Sequence, residues 1–163
     1  TDTYKSNRKG TRKPLAYGSV KDYLIGNYDT KVLPGCEGDD VIGIYMTDES
    51  ALWSLDKDLK QIPGLHWVDD DWELVTHEEA DRFFLYQVLV GDPADGYGGC
   101  SGIGPVRANR ILDNDCSWEA VVRAYESKGL TEADAVLTAQ QARILRSDEY
   151  DFDNMEPILW TPT

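Results

Sequence analysis

The sequence predicts an α/β protein, a parallel-sheet core followed by a helical region. Three observations carry that reading. Short apolar runs alternate with helix-period segments through the first half of the chain, the order that builds a parallel sheet. Helical patterns with polar caps cluster in the second half. At 163 residues, the chain is long enough for one domain with a real core.

In chain order, "SVKDYLIGNY" (19–28) reads as a short helix capped by Ser19, with Gly26 near its end. "TKVLPG" is a brief extended segment, and "CEGDDVIGIYMTD" carries Val41, Ile42, Ile44 and Tyr45 in a helical pattern. "ALWSL" (51–55) reads as a buried strand feeding a helix through "DKD", and "LHWVD" as a second strand that "WELV" pairs with. "THEEADRFFLYQVLVGD" opens on a Thr76 cap with acids in its first turn, and Phe83, Phe84, Leu85, Val88 and Leu89 make it a largely buried helix. A glycine-rich loop (91–104) leads to "PVRANRIL", with Pro105 at a first helical position. "SWEAVVRAYESKG" and "TEADAVLTAQQARILR" are two further capped helices, and "PILW" reads as a closing strand. The expected division is a basic, mobile segment at 1–18, an α/β core at 19–95 and a helical region at 96–163.

Net charge is −14, which argues against a protein that coats duplex DNA. The charge is segregated: "TDTYKSNRKGTRK" holds five basic side chains against one acid, whereas "DDDWELVTHEEAD" (69–81) is strongly acidic. No apolar run approaches the roughly 20 residues that span a bilayer. Cys36, Cys100 and Cys116 lack metal-ligand or disulfide spacing and read as free thiols of a reducing cytoplasm. His66 and His77 are the only histidines, so neither a zinc site nor a histidine triad is expected. Thr1 is not a start methionine and a basic stretch precedes any strand, so an amino-terminal portion of the core is expected to be absent.

The chemistry gathers in carboxylates. Glu37, Asp39 and Asp40 open one helix, Asp56 and Asp58 follow a strand, and Asp92 and Asp95 follow a buried helix. Two carboxylates about 4 Å apart repel by on the order of 4 kcal/mol at an effective dielectric near 20. Seven at element ends therefore need a cation or must diverge into solvent, the bland alternative for any one pair. Oxygen-only donors suit hard ions such as magnesium or manganese. A calcium loop starting at Asp69 or Asp148 fails because neither has glycine at its sixth position.

Beside the last cluster, "GGCSGIGPVRANRIL" puts Gly102, Ile103 and Gly104 ahead of Pro105 and a helix. Such a turn exposes backbone N–H groups at a positive helix end, a phosphate site. Arg107 and Arg110 lie on the following helix and can reach a nucleic-acid backbone; a purely structural turn is the alternative.

Taken together, "YKSNRK", "EGDD", "SLDKDLKQIP", "GDPADG" and "GIGPVRA", in that order, resemble the flap endonuclease and 5′-nuclease superfamily, most of all the 5′→3′ exonucleases of tailed bacteriophages. "QQARILRSDEYDF" and "LW" are similar to the phage branch. Gly96 replaces the family's usual Asn, and the family's first strand and two upstream aspartates have no counterpart. The resemblance implies a PIN-like α/β core with a helix-hairpin-helix region, and 1–18 as the counterpart of the family's helical arch. It implies Glu37, Asp39 and Asp40 as ligands of one Mg²⁺ or Mn²⁺, and Asp56, Asp58, Asp92 and Asp95 as ligands of a second. Two such ions can activate water and stabilise attacking and leaving oxygens. It implies Lys5 and Arg8 as the catalytic basic pair at the scissile phosphate. Tyr4 and Lys9 would contact DNA, with Gly102, Ile103, Gly104, Arg107 and Arg110 gripping its duplex part. A monovalent cation at that turn is implied weakly, through the carbonyls of Gly99 and Ile103. The expected activity is metal-dependent hydrolysis of DNA at 5′ ends and flaps, and of RNA in hybrids, by a monomer in phage replication. Rival expectations are a non-catalytic branched-DNA-binding module, a PIN-like RNase, and a structural protein with an acidic surface.

Overall fold

The structure, a computed structural model, describes residue 10 and residues 12–162. Helix α1 (Tyr17–Asn27) starts two residues before the expected Ser19 cap. Ala16 precedes it without a side-chain cap, and a turn bond from Tyr17 N–H to the Pro14 carbonyl (3.0 Å) starts it instead. At its other end the Asn27 amide and the Thr30 hydroxyl donate to the Tyr23 and Leu24 carbonyls, and Tyr28 N–H also donates to the Leu24 carbonyl. No residue of α1 is buried.

Helix α2 (Gly38–Tyr45) follows an extended stretch and is capped by Glu37. Its Gly43 permits a close approach: a Cβ there would lie 2.2 Å from the Leu145 carbonyl oxygen. Strand β1 (Ala51–Trp53) leads through Asp56, whose carboxylate accepts from Asp58 N–H at 3.0 Å, into a 3-10 turn at Lys57–Gln61. Strands β2 (Gly64–Val68) and β3 (Asp71–Val75) complete a sheet of order β1-β2-β3.

That sheet corrects the expected parallel core. β1 and β2 are parallel (Leu52↔His66), but β2 and β3 are antiparallel (Trp67↔Trp72). The reason is local. Asp69 and Asp70 both take positive φ, 48° and 65°, and close a two-residue hairpin. A link that short joins only antiparallel neighbours.

Helix α3 (His77–Val90) begins with the expected Thr76 cap, in a capping box: the Thr76 hydroxyl accepts from Glu79 N–H and the Glu79 carboxylate from Thr76 N–H. Gly91 ends it at φ 74°. The glycine-rich stretch after it is more ordered than a loop. β4 (Gly91–Asp92) and β5 (Tyr97–Gly98) form a small hairpin that folds back so tightly that a Cβ on Gly91 would lie 2.1 Å from Gly99 N.

Helices α4 (Pro105–Asn114), α5 (Trp118–Glu126) and α6 (Glu132–Ala142) pack around α3. Ser117 and Thr131 cap the last two, as their spacing predicts. Phe84, Val88, Leu89, Leu112, Val121, Tyr125, Ala135 and Ala139 form the main core. Helix α6 stops at Ala142, short of the expected 146, and Arg143–Arg146 runs extended with its backbone committed elsewhere. The closing "PILW" contributes only Pro157 to a hairpin of β6 (Tyr150–Asp151) and β7 (Glu156–Pro157). Trp160 instead packs edge-on against Phe84 and Trp118. Among the described residues no helix is long and apolar enough to cross a membrane.

Candidate active site

Three elements bring the acidic side chains to one place. Glu37 and Asp39 come from the start of α2, Asp56 and Asp58 from the 3-10 turn, and Asp92 and Asp95 from the hairpin after α3. These six carboxylates, with Lys57 and Ala94, wall a cleft of about 280 Å³. The seventh, Asp40, lines an adjoining cavity of about 260 Å³ that also reaches Glu37, Asp39, Asp58 and Asp95.

Backbone N–H groups hold Asp39, Asp40, Asp56 and Asp92. Asp40 accepts from Glu37 N–H at 2.9 Å through one oxygen and from Leu145 N–H at 3.1 Å through the other, tying α2 to the segment after α6. Burial pushes the Asp40 carboxyl above its ordinary value, against the pull of those two N–H groups. Asp39 accepts from Asp40 N–H. Asp92 accepts from Ala94 N–H at 2.7 Å and from the Lys57 ammonium at 3.3 Å. Its burial favours the neutral form, but the Ala94 bond and Lys57 together outweigh it and hold the carboxyl below the usual range. Asp58 sits 3.6 Å from the same ammonium. Burial raises its carboxyl, Lys57 opposes this, and the nearby Asp56, Asp92 and Asp95 add to the rise. Lys57 in turn stays more basic than usual, because Asp58 and Asp92 outweigh its partial desolvation.

The expected convergence on ligand shells is not seen. Among the described residues no group of three or more acidic, His or Cys side chains is arranged to hold one ion. Lys57, within the motif "SLDKD", supplies a cation at the cleft. The donor set still fits a hard ion, being all oxygen. Magnesium commonly uses one or two carboxylates and completes its octahedron with water and substrate phosphates.

At the other candidate site, Gly102 has φ 72° and Gly104 precedes Pro105 at the first position of α4. Ile103 is buried and anchors the turn in the main core. Arg107 and Arg110 are exposed on α4. The Lys128 ammonium, which the sequence reading passed over, lies 3.6 Å from where a Cβ on Gly102 would sit. Tyr4, Lys5, Arg8 and Lys9 lie outside the described residues.

No family model matches the chain. Individual proteins do. The exonuclease of Escherichia phage T7 is 31% identical over 203 aligned positions, covering 98% of this chain and 67% of the relative. The exodeoxyribonuclease of Enterobacteria phage T3 is 30% identical over 202, with the same coverage. The aligned stretch is longer than this chain, so both relatives carry insertions within it. Among solved structures, the phage T5 5′-exonuclease with bound zinc ions superposes with a TM-score of 0.53 at 16% identity, over 85% of this chain and 70% of its own. A phage T5 flap endonuclease complex with DNA and metal ions gives 0.52 at 16% identity, with the same coverage. The T5 proteins share the fold, and the T7 and T3 enzymes carry the relationship: the chain belongs to the flap endonuclease and 5′-nuclease superfamily, among the exonucleases of bacteriophages.

Proposed function

We propose that the protein is a divalent-metal-dependent 5′→3′ exonuclease or flap endonuclease that hydrolyses DNA phosphodiesters, and RNA in hybrids, during phage replication. The observation that carries the reading is the cleft walled by Glu37, Asp39, Asp56, Asp58, Asp92 and Asp95, in a chain of this superfamily. Glu37, Asp39 and Asp40 would hold one Mg²⁺ or Mn²⁺, and Asp56, Asp58, Asp92 and Asp95 a second. When bound, such ions supply Lewis-acid charge that activates water and stabilises the attacked phosphate. The chain's own residues do the rest. Lys5 and Arg8 place positive charge where negative density builds on the phosphate. Tyr4 stacks on a terminal base and Lys9 steers the strand. Gly102, Ile103 and Gly104, at the start of α4, form the helix-hairpin-helix turn that receives a phosphate of the duplex portion, with Arg107 and Arg110 beside it. The Gly99 and Ile103 carbonyls would hold a monovalent cation at that turn, which would supply positive charge for a DNA phosphate. The division at residues 95 and 96 then separates a cleaving half from a gripping half, in a protein that acts as a monomer.

The test is release of nucleotides from 5′-labelled duplex DNA. Native protein with magnesium should degrade it; EDTA or Asp56→Asn should each cut the rate at least 100-fold. Equal rates in the three would end the proposal. The lack of a closed ligand shell among the described residues favours one other reading, a branched-DNA-binding module without catalysis. Tight binding to flapped DNA with no cleavage in magnesium or manganese would select it.

A further inference from the structure

Beneath the carboxylate cleft runs a chain of two buried glutamines that the proposed chemistry does not use. Gln61 is fully buried and Gln87 nearly so, at 0% and 5% exposure. Neither ligates ions well, and burying two primary amides is costly unless every polar atom is satisfied. Both are satisfied, in one direction only.

The direction follows from the backbone. Ile144 N–H can only donate, and it donates to Gln61 Oε1 at 3.1 Å. The Ala142 carbonyl can only accept, and it accepts from Gln61 Nε2 at 2.6 Å. These two groups fix which end of the Gln61 amide is oxygen. Gln61 Nε2 therefore also donates to Gln87 Oε1. With its oxygen so engaged, Gln87 presents its Nε2 to Asp58 and donates to Oδ1 at 2.7 Å. Reversing either amide would set carbonyl oxygen against carboxylate or N–H against N–H.

We infer that Gln87 is a positioning residue for the metal cleft: held by Gln61, it presents an obligatory N–H donor that fixes the rotation of the Asp58 carboxylate and keeps that oxygen an acceptor. The same strip, Ala142–Leu145, holds Asp40 through Leu145 N–H. One extended segment thus orients a carboxylate of each cluster, Asp40 directly and Asp58 through two amides. Outer hydrogen bonds of this kind set ligand orientation, and their loss commonly weakens metal binding by about 10- to 100-fold.

The inference rests on the metal-dependent reading, and calorimetric titration of the metal-free protein with Mn²⁺ separates the two. Native protein should bind, Asp58→Asn should bind at least tenfold more weakly, and Gln87→Met, which keeps length and loses the donor, should lose about 10- to 100-fold. Leu85→Ala, which opens a cavity on the same helix away from the glutamines, should lower the thermal midpoint without moving Mn²⁺ affinity. If native protein binds no Mn²⁺, both readings fall. If native protein binds and Asp58→Asn does not, but Gln87→Met binds like native, only the positioning role is overturned. A measurement on native protein covers the case in which Gln87→Met does not fold. The Gln87 side-chain amide resonances should exchange slowly with solvent and shift on saturation with Mg²⁺; fast exchange and no shift would refute the role.

Discussion

A Cβ on Gly104 would meet nothing within 4 Å, and its φ of −95° suits any residue. Gly102, by contrast, needs its positive φ of 72°. Glycine at 104 is therefore not demanded from within the protein, and the bare backbone there is available to something outside it. Gly104→Val should cost under about 1 kcal/mol of stability, the difference between cap residues. Affinity for duplex DNA should fall on the order of tenfold, the worth of about one hydrogen bond to a charged group. Metal affinity should not change. Fluorescence anisotropy with labelled duplex checks it, and native-like DNA affinity in a folded variant would remove the turn from the binding surface. At this scale the sequence was partly legible. Clustered carboxylates announce themselves because like charges rarely gather without cause. Lys57 was visible between two of them, yet nothing local says that its ammonium turns back onto Asp92, 35 positions away. Gln87 left one trace, a polar residue within the apolar run "LYQVLV", but its partner Gln61 could be found only in space.

Elements with caps were legible because a cap is a local bargain between a side chain and the first free N–H groups. Thr76, Ser117 and Thr131 all do what their positions predict. Where tertiary contacts set the boundary, local pattern gave way. "RILR" has helical character, yet Leu145 N–H goes to Asp40 and Ile144 N–H to Gln61, while Arg143 pairs with Glu149 through three hydrogen bonds. The link between α5 and α3 belongs to the same class. The Tyr125 hydroxyl is buried and donates to the Val88 carbonyl at 2.8 Å. Burial pushes its ionisation from 10.0 up to about 12. A folded value above the unfolded one means that its contribution is intact below pH 10 and is lost as pH climbs through about 12. Over that whole range the loss amounts to about 3 kcal/mol. Tyr125→Phe should cost about 1 kcal/mol at neutral pH and should flatten the alkaline limb. Urea unfolding at pH 8 and pH 12 measures it; a native-minus-variant difference that stays constant between them would show that the phenol does not couple the helices in this way.

Across the whole molecule, 30 acidic side chains face 16 basic ones, and six carboxylates wall one cleft. Self-repulsion of that size opposes the compact state and is relieved in two ways that differ in kind: diffuse screening by salt and occupancy by a specific ion. Burial raises the Asp58 carboxyl, so its ionised form costs stability at any pH above that raised value. Magnesium at about 100 times its dissociation constant should add about 2.7 kcal/mol. For a chain of this length, that is a rise of roughly 5–10 °C in the thermal midpoint. Sodium chloride at matched ionic strength should give much less, because screening acts weakly on partly buried charge. Asp58→Asn should be more stable than native without metal, since it removes the buried charge, and should gain less from magnesium. The two signs together are the discriminating result. A merely acidic surface would respond alike to both salts and leave Asp58→Asn no different from native in its magnesium increment. Differential scanning calorimetry of the two proteins in the two salts decides the matter, and equal increments throughout would mean that the cleft binds no ion of its own.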